Sequence, residues 1–313
     1  MTASDRASLP PQMHVFVRDW LSSNNILLNG KDGSVLIDSG YVRHAPLTLA
    51  LLASEQGLGD APLAKLVNTH CHSDHIGGNA SIQARYQCPI AVPEAEAEAL
   101  DAWDERALLL DYCDQRTDRF RYDELIAADE IHVWGDLEWR ALAAPGHDMG
   151  ALVFHNPEHG ILISGDALWE NGFGLVMPVE IDPRALPATR ATLEMIAGLR
   201  PRVVIPGHGE PFMDVEAALE RALRRADAFE ADSRRVARHA LKVILTFTLL
   251  DRRRLRLDAM PTYVERIGIY REFNDTFFKC SGEELADMLI GELSRAGVIH
   301  SVDGWLVPSE RAA

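Results

Sequence analysis

Short apolar runs punctuated by turn formers fill the first two thirds of the chain, and longer runs with helical spacing fill the last third. Residues 13–17, 25–28 and 34–37 read as short strands, the last two joined by the turn Asn29-Gly30-Lys31-Asp32-Gly33. Residues 46–56 carry a helical pattern, 63–68 read as a strand, and 78–86 as a second helix. Two further apolar runs, Ile161-Leu162-Ile163 and Val203-Val204-Ile205, end in turn residues followed by Asp166 and His208. The stretch 94–129 is rich in charge and aromatics, looks helical, and interrupts this strand rhythm. Alternating strands and helices of this kind predict an α/β fold.

The pattern changes after Pro211. Residues 215–240 predict one long helix and 241–250 its apolar continuation. Ser281-Gly282-Glu283-Glu284 has the form of a capping box opening a helix through Arg295, with Gly297 as its stop. Residues 298–300 and 305–307 then flank a turn and predict a hairpin. At 313 residues the chain exceeds one ordinary domain. The expected division is a catalytic unit over residues 1–213 and a helical accessory unit over 214–313.

Charge narrows the partners. The net charge of −16 opposes nucleic-acid binding, which needs a basic surface. Residues 216–260 do hold eleven Lys/Arg against seven Asp/Glu, read here as a solvated helix face. The opening Met1-Thr2-Ala3-Ser4-Asp5-Arg6 lacks a basic then apolar export pattern, and 241–250 is too short to span a bilayer. The expectation is a cytoplasmic protein with no membrane contact, whose four cysteines are free thiols.

Candidate chemistry concentrates in Thr69-His70-Cys71-His72-Ser73-Asp74-His75. In an extended segment His70 and His72 point the same way and can reach one cation, while Cys71 points away into the core. Asp74 and His75 follow where the chain turns and can face a second cation. Imidazole nitrogen with carboxylate oxygen suits zinc first, with iron and manganese as alternatives. His147 in the turn Ala144-Pro145-Gly146-His147, strand-end Asp166 and His208, and Asp38 after Val35-Leu36-Ile37 supply further candidates.

These motifs, in this order, resemble the metallo-β-lactamase-fold hydrolase superfamily over about residues 12 to 212, above all its glyoxalase II-like, thioesterase-like and lactonase-like members. The resemblance implies a four-layered αββα sandwich and two bound divalent metals. It assigns His70, His72 and His147 to the first, Asp74, His75 and His208 to the second, and Asp166 as a bridge between them. It makes Asp38 an orienting residue rather than a ligand. Two such cations would hold a bridging hydroxide near neutral pH for attack on a carbonyl or phosphoryl centre, with Asp74 and Asp166 as the catalytic carboxylates. The chain lacks the long insertion of nucleic-acid-processing relatives, and its tail does not look like the helical domain of glyoxalase II.

The tail resembles the winged-helix appendage of some relatives, for which packing, pocket closure or pairing into a homodimer is expected. Trp169 and Phe173, just after Asp166, are candidate pocket residues. The leading expectation is a hydrolase of a small-molecule thioester, ester or lactone. The alternatives are a metal-dependent endoribonuclease or phosphodiesterase, and a non-catalytic metal-containing sensor.

Overall fold

The structure is a computed structural model that describes residues 9–309. The expectation drawn from the opening six residues lies outside the described residues.

Apolar residues alternate between two buried faces along each central strand, and this alternation builds the layers. The first sheet runs β1 (Met13–Phe16), β2 (Asn25–Gly30), β3 (Gly33–Ile37), β4 (Leu63–Val67), β5 (Ile90–Pro93) and β6 (Glu124–Ile126), neighbours in that order. In β2, Ile26 and Leu28 face one core and Leu27 the other; in β3, Val35 and Ile37 oppose Leu36 in the same way. Near-continuous apolar runs of this type need cover on both faces. The second sheet has the order β11 (Val203–Pro206), β10 (Ile161–Gly165), β9 (Leu152–Asn156), β8 (Leu137–Ala143) and β7 (Ile131–Trp134).

Three cores stack the layers. Ile26, Val35 and Val67 of the first sheet meet Trp139, Phe154 and Ile163 of the second. On the outer face of the first sheet, Leu27, Leu36 and Leu66 pack under α1 (Ala45–Leu52), α2 (Ser73–Ile76), α3 (Asn79–Tyr86) and α4 (Ala97–Ala102). On the outer face of the second, Val153, Leu162 and Val204 pack under α5 (Ala185–Leu199) and α6 (Val215–Glu230). The result is helix, sheet, sheet, helix: the αββα sandwich.

The tail wraps a separate core. It comprises α7 (Ser233–Arg252), β12 (Leu255–Arg256), α8 (Met260–Arg266), α9 (Gly268–Phe273), α10 (Gly282–Arg295), β13 (Ile299–Val302) and β14 (Trp305–Pro308). The three strands form a small sheet in the order β12-β14-β13. The capping box at Ser281 and Glu284 is present, and Asp303 and Gly304 turn the hairpin with positive φ. Leu241, Leu245, Tyr270, Phe273 and Leu289 fill this core, and Tyr112, Cys113 and Leu175 of the sandwich enter it.

Two expected elements differ. The long helix over 215–240 breaks at Asp232, whose extended backbone and side chain cap α7 by accepting from the Arg235 N–H at 3.1 Å. The 94–129 stretch is helical only in α4 and two short 3-10 turns; Trp103, Leu109 and Asp114 take left-handed backbone and re-aim the chain. That path sends Leu108 and Leu110 into the sandwich and Tyr112 and Cys113 into the tail core. Packing overrides local propensity there.

Arginines of the tail are largely engaged. Arg252 pairs with Asp114, Arg256 with Asp258, Arg224 with Glu220, and Arg254 lies over the Trp305 ring. Among the described residues no helix is long and apolar enough to cross a membrane.

Candidate metal centre

Parallel strands aim their carboxyl ends at one rim of the sandwich. Asp38 follows β3, the histidine-rich loop follows β4, Asp166 follows β10 and His208 follows β11. His147 comes from the loop between β8 and β9. All seven expected ligands converge there in two groups. His70, His72 and His147 form one; Asp74, His75, Asp166 and His208 form the other, with ligand atoms in each group within 4.8 Å of one another.

Hydrogen bonds set which atom each side chain presents. Thr69 Oγ1 donates to Asp38 Oδ2 at 2.8 Å and faces His70 Nδ1 at 3.1 Å, which leaves His70 Nε2 for the site. His147 Nδ1 donates to the Leu175 carbonyl, so its Nε2 faces His72 Nδ1 at 2.8 Å and Asp166 Oδ2 at 3.3 Å. His75 Nδ1 donates to Asp38 Oδ2 at 2.8 Å, and His75 Nε2 faces Asp166 Oδ1 at 3.4 Å. His208 Nε2 lies 3.0 Å from Asp74 Oδ2 and 3.8 Å from Asp166 Oδ1. Asp38, with positive φ at a strand end, thus orients His75 directly and His70 through Thr69.

The donor set fits cations. His70 Nε2 is a buried polar atom with no hydrogen-bond partner, and His75 Nε2 has only the Asp166 carboxylate, at 3.4 Å. Buried lone pairs without a partner are costly unless a cation or proton sits between them. Burial, then the neighbouring His75 and His72, lowers the His70 pKa well below its usual range. Burial, then His147, lowers His72 to about 4. Both rings are therefore neutral and able to ligate. Burial opposes charge on Asp166, but His208 and His75 outweigh it and hold the carboxyl well below the ordinary range.

Trp169 Nε1 donates to Asp166 Oδ1 at 3.1 Å, so the indole touches the central carboxylate and also walls the cavity above it. Phe173 stands differently: it is fully buried in the outer core of the second sheet, bordering a second cavity rather than the metal site. Cys71 points into the core, where burial raises its thiol well above the usual range.

Several supports carry no obvious motif. Ser22, Ser23, Asn24 and Asn25 are buried although polar. The Ser23 N–H donates to the Asp74 carbonyl, and Asn24 Nδ2 donates to the carbonyls of Pro206 and Gly209 around His208. This clamp ties two ligand loops together; a polar run between two strands was its only signal. Trp20 stacks on His208 with ring centroids 5.5 Å apart. Behind His72 lies a carboxyl pair. Burial, then Asp148 beside it, pushes Glu96 up to about 10, so Glu96 holds a proton and donates to Asp148. Asp148 Oδ2 in turn lies 3.4 Å from His72 Nε2.

Space around the site is equally specified. A Cβ on Gly207 would lie 2.2 Å from Asp166 Oδ1 and 2.9 Å from His75 Cε1. Gly207→Ala is therefore expected to lower metal occupancy and cut turnover roughly 10–100-fold, the loss typical when a support of metal ligands is disturbed. Metal content per chain and far-UV circular dichroism on the same sample check that the loss is local.

The chamber over the metal site is small, about 70 Å³, and walled by Leu108, Leu109, Leu175, Val243, Ile244 and Phe247. The last three come from α7 of the tail. No Lys or Arg lines it among the described residues. A larger cavity of about 370 Å³ shares Trp169, Leu175, Val243 and Phe247 with it and extends to Arg225, His239 and Lys242. Burial first, then Arg225, Lys242 and Arg235, lowers His239 to about 3. Unfolding returns the ring to its ordinary range, so its contribution is present above about pH 6.5 and fades as pH falls toward 3. Relative to His239→Gln, the wild type should lose stability over that window, by at most about 1.4 kcal/mol per pH unit and less where water reaches the ring. Urea titrations of both proteins at several acidic pH values measure the difference.

Comparison with known proteins follows the same lines. The family described as metallo-beta-lactamase superfamily matches residues 18–208. The acyl-coenzyme A thioesterase MBLAC2 of Gallus gallus is 27% identical over 61% of this chain and 73% of its own length. A hydroxyacylglutathione hydrolase of Rhodopseudomonas palustris is 32% identical over 44% of this chain, and the match spans 50% of that relative. Among solved structures, a beta-lactamase domain protein of Burkholderia ambifaria aligns with TM-score 0.59 at 21% identity, over 97% of this chain and 93% of that one. A metallo-beta-lactamase family protein of Thermus thermophilus aligns with TM-score 0.56 at 21% identity, over 96% and 100%. These two alignments include the tail, and at that identity they speak for the fold alone.

Proposed function

The chain belongs to the metallo-beta-lactamase superfamily and is a hydrolase, and from that premise we propose that it cleaves small-molecule thioesters at a centre of two divalent cations. His70, His72 and His147 would hold one cation, Asp74, His75 and His208 the other, and Asp166 would stand between them. Zinc is the first choice for this nitrogen and carboxylate set, with iron and manganese behind it. Bound there, divalent cations acidify water toward neutral pH and polarise a carbonyl oxygen.

One observation carries the substrate reading: the chamber that meets both groups of candidate ligands is apolar and has no basic lining, whereas the cavity carrying Arg106 and Arg184 reaches only His72 and His147. A polyanionic phosphodiester or RNA strand needs cationic partners there, whereas an acyl group does not. Likeness to an acyl-coenzyme A thioesterase and to hydroxyacylglutathione hydrolases supports the same choice over plain esters and lactones.

Each part of the chain has a task in this reaction. Water oxygen bonds to the acyl carbon, the carbon–sulfur bond breaks, and the thiolate takes up a proton. Asp74, held by His208 and by the Ser23 N–H, is placed to pass that proton. Trp169 fixes Asp166 and, with Phe247, excludes bulk water from the acyl carbon. We read residues 1–213 together with α6, which covers the second sheet, as the unit that supplies and supports the reacting groups, and the segment from α7 onward as the accessory unit that closes the chamber.

The test is an assay of the metal-loaded protein on acyl-coenzyme A thioesters, read by free thiol release, beside aryl esters, lactones, phosphodiesters and single-stranded RNA. Thioester turnover that leads the panel is the expected outcome. Cleavage confined to RNA or phosphodiesters would overturn the reading, and so would turnover led by esters or lactones.

A further inference from the structure

The chamber of about 70 Å³ at the candidate ligands is much smaller than the cavity of about 370 Å³ that adjoins it, so an acyl chain of more than a few carbons has to extend past it. Trp169, Leu175, Val243 and Phe247, shared by both cavities, mark the way out, and the cavity of about 370 Å³ beyond them is otherwise unassigned. The walls it shares with the chamber are apolar. The rest are mixed.

Arg225, which lines the larger cavity and not the smaller, holds its guanidinium over the rings of Phe173 and Phe229, at 4.9 and 5.2 Å from their centroids. Arg225 Nη2 donates to His239 Nε2, and among the described residues no carboxylate lies within salt-bridge distance of it. Burial alone lowers its pKa, to about 10, so it remains a cation at neutral pH. Lys242, also on the wall, is matched: Glu292 Oε2 lies 3.0 Å from its Nζ, and Arg238 reaches the same carboxylate at 3.5 Å. Glu292 is thus shared by two cations, and Arg225 has no carboxylate of its own among the described residues. A partly buried cation without an anion is a standing cost that a bound counter-charge relieves.

Resting on the thioesterase reading, we propose that the two cavities form one acyl channel and that Arg225 receives a carboxylate at the far end of the acyl limb. The preferred substrate is then an ω-carboxyacyl thioester, and the product that leaves with the free thiol is a dicarboxylate. Arg225 is a specificity-determining residue on this assignment, remote from the reacting atoms.

The experiment compares ω-carboxyacyl and methyl-terminated acyl thioesters of N-acetylcysteamine, whose leaving group carries no charge, matched over a series of chain lengths. At one length the wild type is expected to favour the carboxylate by at least about tenfold in kcat/KM. Arg225→Gln should bring that ratio to one or below, and Arg225→Lys should restore part of it. A purely structural role, packing against Phe173 and Phe229, would slow both substrates alike and leave the ratio unchanged. That outcome overturns the assignment, as does a wild-type ratio near one at every length while the methyl-terminated thioester is hydrolysed. If neither thioester is cleaved, the thioesterase reading itself falls and the assignment falls with it.

Discussion

Asp166→Asn should lose one cation per chain and more than about 10²-fold in kcat, beyond the usual loss for an outer partner of a metal ligand. The expectation comes from where the carboxylate stands. Asp166 Oδ2 faces His147 Nε2 in the first group, and Asp166 Oδ1 faces His75 and His208 in the second. No other carboxylate faces ligand nitrogens of both sets among the described residues. Asparagine keeps the shape but supplies one oxygen and no charge, so it can serve one group or the other. It also replaces an acceptor that Trp169 uses, and the indole that walls the chamber would lose its tether if the amide turned its nitrogen outward. Metal analysis, single-substrate kinetics and near-UV circular dichroism on the same preparation separate these effects. Two retained cations with full turnover would show that Asp166 does not bridge, and the assignment of both groups would have to be redrawn.

Much of this site was legible because strand chemistry and ligand chemistry use the same short stretches. An apolar run that stops at Gly or at a turn must deliver its next side chain to the sheet edge, and Asp38, Asp166 and His208 all sit at such stops. The histidine pair in the 70–75 loop shows its common face through the period of an extended chain. The α/β class was readable in the alternation of strands and helices, while the four layers were implied by the family resemblance.

What stayed hidden depends on contacts between segments far apart in sequence. Nothing local marks Glu96 as the protonated partner of Asp148, since one lies at the start of a helical turn and the other in the His147 loop. Asn24 acts 182 and 185 residues away, on the carbonyls of Pro206 and Gly209. The break at Asp232 was readable in principle, because Asp before Ser-Arg-Arg is a cap signal; the dense Ala and Arg pattern on both sides masked it. Phe173 followed the opposite path. Its place after Asp166 suggested a pocket wall, and it is shared between the outer core of the second sheet and the larger cavity. Pocket closure was among the tail's expected roles, but the residues that line the chamber were not readable: Val243 and Phe247 look like any apolar stripe until α7 is laid against the ligands.

Stripping the cations should destabilise the fold as well as silence it. His70, His72, His75 and His208 are all buried, and His70 Nε2 and His75 Nε2 meet no hydrogen-bond donor within the protein. These atoms are held against one another by backbone that has other work: β4 and the Asn24 clamp fix the loop before any ligand binds. In the absence of metal the lone pairs of His72 Nδ1 and His147 Nε2, 2.8 Å apart, oppose each other unless a proton intervenes. A ligand that binds only the folded state stabilises it by about 4 kcal/mol when present at roughly a thousand times its dissociation constant. Two cations so bound contribute about 8 kcal/mol, and at roughly 2 °C per kcal/mol for a chain of this size chelation should lower Tm by on the order of 15 °C. Calorimetry before and after dialysis against a chelator measures the drop, and stepwise return of zinc, iron or manganese should restore it in proportion to occupancy. A shift of only a degree or two, with two cations demonstrably removed, would mean that the protein carries its ligand cluster without help. The buried nitrogens would then have to be satisfied by water or by protons, and the argument from their burial to a metal centre would fail.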